Sequence, residues 1–164
     1  MSRILLDTSA LLAHFFNEPG GPDAAAAMGD SEVLLSVVSR VEVHGRLRAM
    51  DVPDAETEKI LNQYAEIATR WVEVDTDVAR RAGALRSAAT GRLPVVDALI
   101  AASASLNDAR LLHRDPHFAG IPPELLEQVF LGRPAGSSGV ARGGNESDPC
   151  EPTLERSFRQ ARGT

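Results

Sequence analysis

The chain is short of cysteine, lysine and long apolar runs, and each shortage removes a class of protein. Its 164 residues hold one cysteine, Cys150. No internal disulfide can form, which fits a reducing compartment. No stretch approaches the roughly 20 consecutive apolar residues of a membrane helix. The apolar stretches 4–6 and 10–13 are separated by Asp7 and carry no cleavage pattern, so a signal peptide is not expected and a soluble, cytoplasmic protein is. Excess positive charge is missing too: the formal net charge is −6, which argues against broad, nonspecific binding to nucleic acid. Of the 17 basic residues only Lys59 is lysine. Arginine presents a planar fork of donors suited to phosphate, but in a chain rich in Ala, Gly and Pro the bias reads first as composition. There is no internal repeat and no Gly-x-x-x-x-Gly-Lys loop to cradle a phosphate.

What is present is a set of short apolar strands alternating with helices. Residues 4–6, Ile-Leu-Leu, stop at Asp7, and Thr8-Ser9 open the apolar stretch 10–16. This is the pattern of a buried strand ending in a carboxylate, then a helix capped by Thr8 or Ser9. Asn17-Glu18-Pro19-Gly20-Gly21-Pro22 is a break, and the Ala-rich residues 23–28 predict a helix ended by Gly29. Residues 32–36 read as a second buried strand. Ser36 or Ser39 then caps a helix to about Met50, with Val41, Leu47 and Met50 as inward candidates. Pro53 starts another helix, in which Ile60, Leu61, Tyr64, Ile67 and Ala68 fall at helical spacing.

Residues 71–74 predict a third strand, and Asp75 or Thr76 caps a helix to about Ala89. Residues 95–106 form the most apolar helix, interrupted by Asp97. Residues 110–113 make a fourth strand and residues 128–131 a short last one. The order β-α-α-β-α-α-β-α-α-β-β, with strands apolar throughout, predicts an α/β domain over 1–131 whose mainly parallel sheet is covered by helices on both faces. Residues 132–164 change character. Gly, Pro, Ser and Arg abound, and Val140, Leu154 and Phe158 are the only sizeable apolar side chains. A disordered tail is expected there.

The chemistry lies in four acids placed in apolar settings. Asp7 ends the first strand, Glu42 lies in the first turns of the helix after strand two, Asp97 in the first turn of the apolar helix, and Asp115 just after strand four. In a parallel sheet with right-handed crossovers, strand C-termini and following helix N-termini share one edge. Topology therefore brings Asp7, Glu42 and Asp115 to one rim, while Asp97 must join from a helix that follows no strand. Each acid alone has an ordinary explanation: a cap, an i,i+4 partner for Arg46, a dipole-compensating residue, a turn residue. Four carboxylates on one rim repel unless a cation sits among them, and Mg²⁺ or Mn²⁺ is the natural choice for oxygen donors.

Four stretches in order, Asp7-Thr8-Ser9-Ala10-Leu11-Leu12, Glu42 after Ser36-Val-Val-Ser-Arg-Val, Pro94-Val-Val-Asp97-Ala-Leu-Ile-Ala-Ala-Ser-Ala and Arg114-Asp115-Pro-His-Phe118, resemble a PIN domain of the VapC toxin type. The resemblance covers about residues 1–131. It implies a PIN-like three-layer α/β/α sandwich, Mg²⁺- or Mn²⁺-dependent endoribonuclease activity, a homodimer and a cognate VapB-type antitoxin that wraps the toxin. It also implies that Asp7 and Asp97 are the principal metal ligands, that Glu42 and Asp115 complete the cluster directly or through water, and that Ser9 supports it by hydrogen bonding. One departure stands out: His113 occupies a position where the family usually has Thr or Ser.

His113 either contacts substrate phosphate or packs at the rim, and packing is the favoured reading. Arg46, Arg86 and Arg114 are candidates for gripping RNA phosphates. His44 and His117 look structural or solvent-facing, and with carboxylates dominating no zinc site is expected. A haloacid-dehalogenase-type phosphatase would need a second acid where Ser9 stands, and a receiver domain a lysine at a late strand end. The remaining alternative is a non-catalytic module that binds RNA or antitoxin without cutting.

Overall fold

Alternation along the central strands sorts the core into two halves, one on each face of a single sheet. A computed structural model describes residues 1–132, so the tail expected over 132–164 lies almost wholly outside the described residues. The sheet comprises β1 (Ser2–Leu6), β2 (Ser31–Ser36), β3 (Arg70–Val72), β4 (Arg110–His113) and β5 (Gln128–Phe130). All neighbours are parallel, in the spatial order β3-β2-β1-β4-β5. Ile4 and Leu6 point to one face with Val33, Leu35 and Leu112; Leu5, Leu34 and Leu111 point to the other. Both faces are covered, which is why these strands are apolar at every central position.

The helices divide accordingly. α1 (Thr8–Phe15), α2 (Gly21–Gly29), α3 (Val38–Arg48) and α4 (Asp54–Ile67) pack on the first face. α5 (Thr76–Ala88), α6 (Val95–Leu106) and the 3-10 turn Pro116–Gly120 pack on the second, with Ile100 and Phe118 fully buried. This is the three-layer α/β/α sandwich expected from the sequence. The chain runs outward from β1 through β2 to β3, then crosses the second face and returns to β4 on the far side of β1. The crevice above the C-terminal ends of β1 and β4 is thus the topological switch point, where open α/β sheets bind ligands.

Several local expectations need correction. The N-cap of α1 is Asp7 itself, whose carboxylate accepts the Ser9 amide, rather than Thr8 or Ser9. Neither Ser36 nor Ser39 caps α3, which begins at Val38 without a side-chain cap. Both hydroxyls are buried without a hydrogen-bond partner in the structure. The inward stripe of α3 is Ser39, Val43 and Leu47. Val41, 73% exposed, faces outward because residue 41 sits about 200° around the helix from residue 43, and Met50, 40% exposed, lies in the turn beyond the end of α3. On α4, Ile60, Leu61 and Tyr64 are buried and Ile67 is exposed. Gly20 in the predicted break has φ +90°, and a Cβ there would lie 2.3 Å from the Leu131 carbonyl oxygen. Only glycine tolerates both conditions.

Candidate metal centre

The site is assembled from the ends of four elements. Asp7 is held where β1 stops, its amide donating to the Leu112 carbonyl oxygen at 2.9 Å. The amide of Ser9 donates to Asp7 Oδ2 at 2.9 Å and its Oγ at 2.5 Å. Ser9 Oγ in turn accepts from the Arg114 amide at 2.8 Å. One hydroxyl therefore fixes the carboxylate and ties the exit of β4 to the start of α1. Asp7 is buried, and burial pushes its carboxyl above the ordinary range against the pull of the Ser9 and Thr8 hydrogen bonds and of His113.

Glu42 reaches the same rim from α3, where Thr8 Oγ1 donates to its Oε2 at 2.5 Å. Its carboxyl is also raised, first by burial and further by repulsion from Asp7 and Asp115. Asp97 stands in the first turn of α6 with its side chain 13% exposed. Burial, followed by repulsion from Asp115, Asp7 and Glu42, pushes it up to about 6. Asp115 ends the segment leaving β4 and caps the 3-10 turn, its Oδ1 accepting the His117 amide at 2.8 Å. All four acids expected from the sequence are thus within electrostatic reach of one another, Asp97 included.

A fifth group belongs with them. His117, expected to be structural or solvent-facing, places Nδ1 2.8 Å from Asp115 Oδ1 and 3.3 Å from Asp97 Oδ2. One donor atom from each of Asp97, Asp115 and His117 lies within 4.8 Å of the others. The signal in the sequence was its spacing of two from Asp115 across a proline, a turn that folds the ring back over the carboxylate.

The other candidates are placed differently. His113 is 2% exposed, and its Nδ1–H donates to the Asp115 carbonyl oxygen at 2.8 Å. Its ring packs edge-on against Phe118 and Phe130. Burial lowers its pKa, and it offers no open face to a substrate phosphate. It braces the turn that carries Asp115. Arg114 pairs with Glu18 at 2.6 Å, and Arg86 Nε donates to the Leu93 carbonyl oxygen at 3.0 Å. Arg46 is exposed on α3, one turn beyond Glu42, whose carboxylate is met by Thr8 instead. His44 and Arg40 both bind Glu58, clasping α3 to α4.

The family model of the PIN domain matches residues 4–122. This chain belongs to the PIN-domain family. No curated protein sequence matches it. Among solved structures, this PIN domain is similar to a toxin–antitoxin complex from Klebsiella pneumoniae, with 26% identity, a TM-score of 0.58 and coverage of 73% of this chain and 92% of that one. DNA-bound VapBC from Salmonella typhimurium shares its fold at 15% identity and a TM-score of 0.62, over 80% of this chain and 99% of that one. VapBC2 from Rickettsia felis, bound to a promoter DNA fragment, does so at 16% and 0.61, over 76% and 97%.

The donor set of this PIN domain suits a divalent cation. Carboxylate oxygens are the ligands hard ions take, and a cation among them would offset both the burial and the mutual repulsion that raise Asp97 and Glu42. Among the described residues no Arg or Lys forms an ion pair with any of the four acids. Arg114 is engaged by Glu18, and His117 alone bridges two of the acids.

Proposed function

We propose that this chain is the toxin of a type II toxin–antitoxin pair, acting as a metal-dependent endoribonuclease that hydrolyses RNA phosphodiester bonds. The observation that carries this reading is the convergence of Asp7, Glu42, Asp97 and Asp115 at the switch point, where burial and mutual repulsion raise Asp97 to about 6. Asp7 and Asp97 are the principal ligands for Mg²⁺ or Mn²⁺, with Glu42 and Asp115 contributing directly or through water. When bound, the ion supplies a water of lowered pKa and neutralises charge on the phosphate.

The protein's own groups do the rest. Ser9 holds Asp7 in one rotamer, so the ligand is set before an ion or substrate arrives. Thr8 fixes Glu42, whose raised pKa suits it to orient the attacking water and take its proton. Asp115 is the alternative base. Arg46 is the candidate for a flanking phosphate, Arg114 a second one on release from Glu18, and Arg86 a third through its terminal nitrogens. A homodimer and a VapB-type antitoxin that closes over the rim complete the proposal.

Cleavage of total RNA by the purified protein, followed by 5′-end mapping, tests the activity. It should require Mg²⁺ or Mn²⁺, stop with EDTA and be absent in Asp97→Asn. RNA bound without cleavage, insensitive to EDTA, would instead identify a non-catalytic module. Relief of growth arrest by co-expressing the product of the adjacent reading frame tests the antitoxin.

A further inference from the structure

We infer that His117 is a nitrogen ligand of the metal ion and biases this site toward first-row transition ions, Mn²⁺ among them, over Mg²⁺; this rests on the metal-site reading above. Asp115 accepts the His117 amide, Pro116 restricts the backbone between them, and the side chain two residues on is carried back over the carboxylate. The turn is mounted rigidly. Phe118 is fully buried, Gln128 Nε2 and the Ile121 amide both donate to its carbonyl oxygen at 2.9 Å, and the Thr90 amide donates to the Gly120 carbonyl oxygen at 2.9 Å. His117 is therefore delivered by a fixed platform and not by a loose loop.

The spacing suits coordination. With metal–ligand bonds of about 2.1 Å, adjacent donors of an octahedron lie about 3.0 Å apart and opposite ones about 4.2 Å. His117 Nδ1 already stands 2.8 Å from Asp115 and 3.3 Å from Asp97, and the donors of all three residues fit within 4.8 Å. An ion entering between these carboxylates meets the imidazole at the distance of a neighbouring ligand. With its proton on Nε2, Nδ1 presents a lone pair to that ion. Mg²⁺ strongly prefers oxygen, whereas imidazole binds first-row transition ions well. One nitrogen among carboxylates thus shifts preference without abolishing Mg²⁺ binding. The rival role for His117 is a cation that merely balances Asp97 and Asp115.

Pulsed electron paramagnetic resonance of Mn²⁺ bound to tag-free, full-length protein separates the two, because a directly bonded imidazole imprints a ¹⁴N coupling on the metal. The coupling should be present in the native protein and absent in His117→Gln, with Mn²⁺ still bound. By calorimetry, His117→Gln should weaken Mn²⁺ on the order of tenfold and Mg²⁺ by less than about threefold. Mn²⁺ bound in an Asp97-dependent manner, but without a His117-dependent coupling or with both ions weakened alike, overturns the inference and leaves the metal site standing. Failure of the native protein to bind either ion overturns both. His117 is 45% exposed in its side chain, so loss of folding does not confuse the test.

Discussion

The two ends of the sheet carry similar numbers of polar groups and treat them in opposite ways. At the N-terminal edge charges are matched. Arg3 donates to Glu32 at 2.8 Å and to the Asn107 carbonyl oxygen at 2.6 Å, Arg70 binds Asn107 Oδ1, and Ser2 meets Ser31 at 2.8 Å. At the C-terminal rim acids face acids, two of them held in place by hydroxyls, and burial adds to the strain. The first edge pairs its charges; the second keeps acids close at a cost that protonation or a cation relieves. Matched and unmatched charges are thereby separated by the length of the strands.

This contrast can be broken most severely at the rim. Asp7→Asn should lower RNA cleavage by about 1,000-fold or more, a barrier change of about 4 kcal/mol, while circular dichroism shows a folded protein. Full activity would remove Asp7 from the chemistry. A cut through the shared middle should not discriminate between the ends. Leu5 is fully buried, and Leu5→Ala should cost about 3 kcal/mol in urea denaturation, affecting activity only through the fraction folded. Ser9→Ala removes the hydroxyl between Asp7 and the Arg114 amide. Metal affinity and cleavage should fall about 10- to 100-fold, and a smaller change would mean that the Ser9 amide suffices.

The next effect is a gain. Asp97 is raised from 3.8 to about 6 in the folded protein, so between those values the folded state binds more protons than the unfolded one. Stability from this group therefore falls as pH rises through that window. In EDTA at pH 7, Asp97→Asn should stabilise the protein by about 1 kcal/mol, because it removes a charge that is buried first of all and repelled by the other acids besides, a cost trimmed by solvent screening. The gain should shrink toward zero as the pH is lowered to about 4, and a destabilised variant at pH 7 would contradict the cost of the buried, repelled charge. Smallest is Arg3→Ala at the matched edge. Its ion pair is partly exposed, so the loss should be about 0.5 kcal/mol, with cleavage unchanged.

Much of this was legible in the chain. Apolar runs of two or three residues predicted β1, β2 and β4 because strands covered on both faces need apolar residues at successive positions. Asp7, Glu42 and Asp115 could be assigned to one rim because crossover handedness places strand ends and helix starts together. Helix faces were less legible. Val41, Met50 and Ile67 are apolar, yet the stripe that meets the sheet passes elsewhere, and spacing alone does not say which face is covered. Caps were misjudged for a related reason: Asp7, Ser36 and Ser39 are all plausible cap types, and the choice depends on where the strand stops.

Sequence by itself determined the fold class and the setting of the acids: carboxylates at element ends in apolar surroundings, with Ser9 where a phosphoenzyme would carry a second acid. Tertiary structure alone decided which groups stand together at the rim. It brought Asp97 in from a helix that follows no strand and withdrew His113 into an aromatic pocket. It also turned His117 from a surface residue into a neighbour of two acids. The reason is physical: the order of residues limits which elements form and where they end. The direction of a side chain is set by what packs behind it, and for His117 that is the Phe118 anchor beneath the turn.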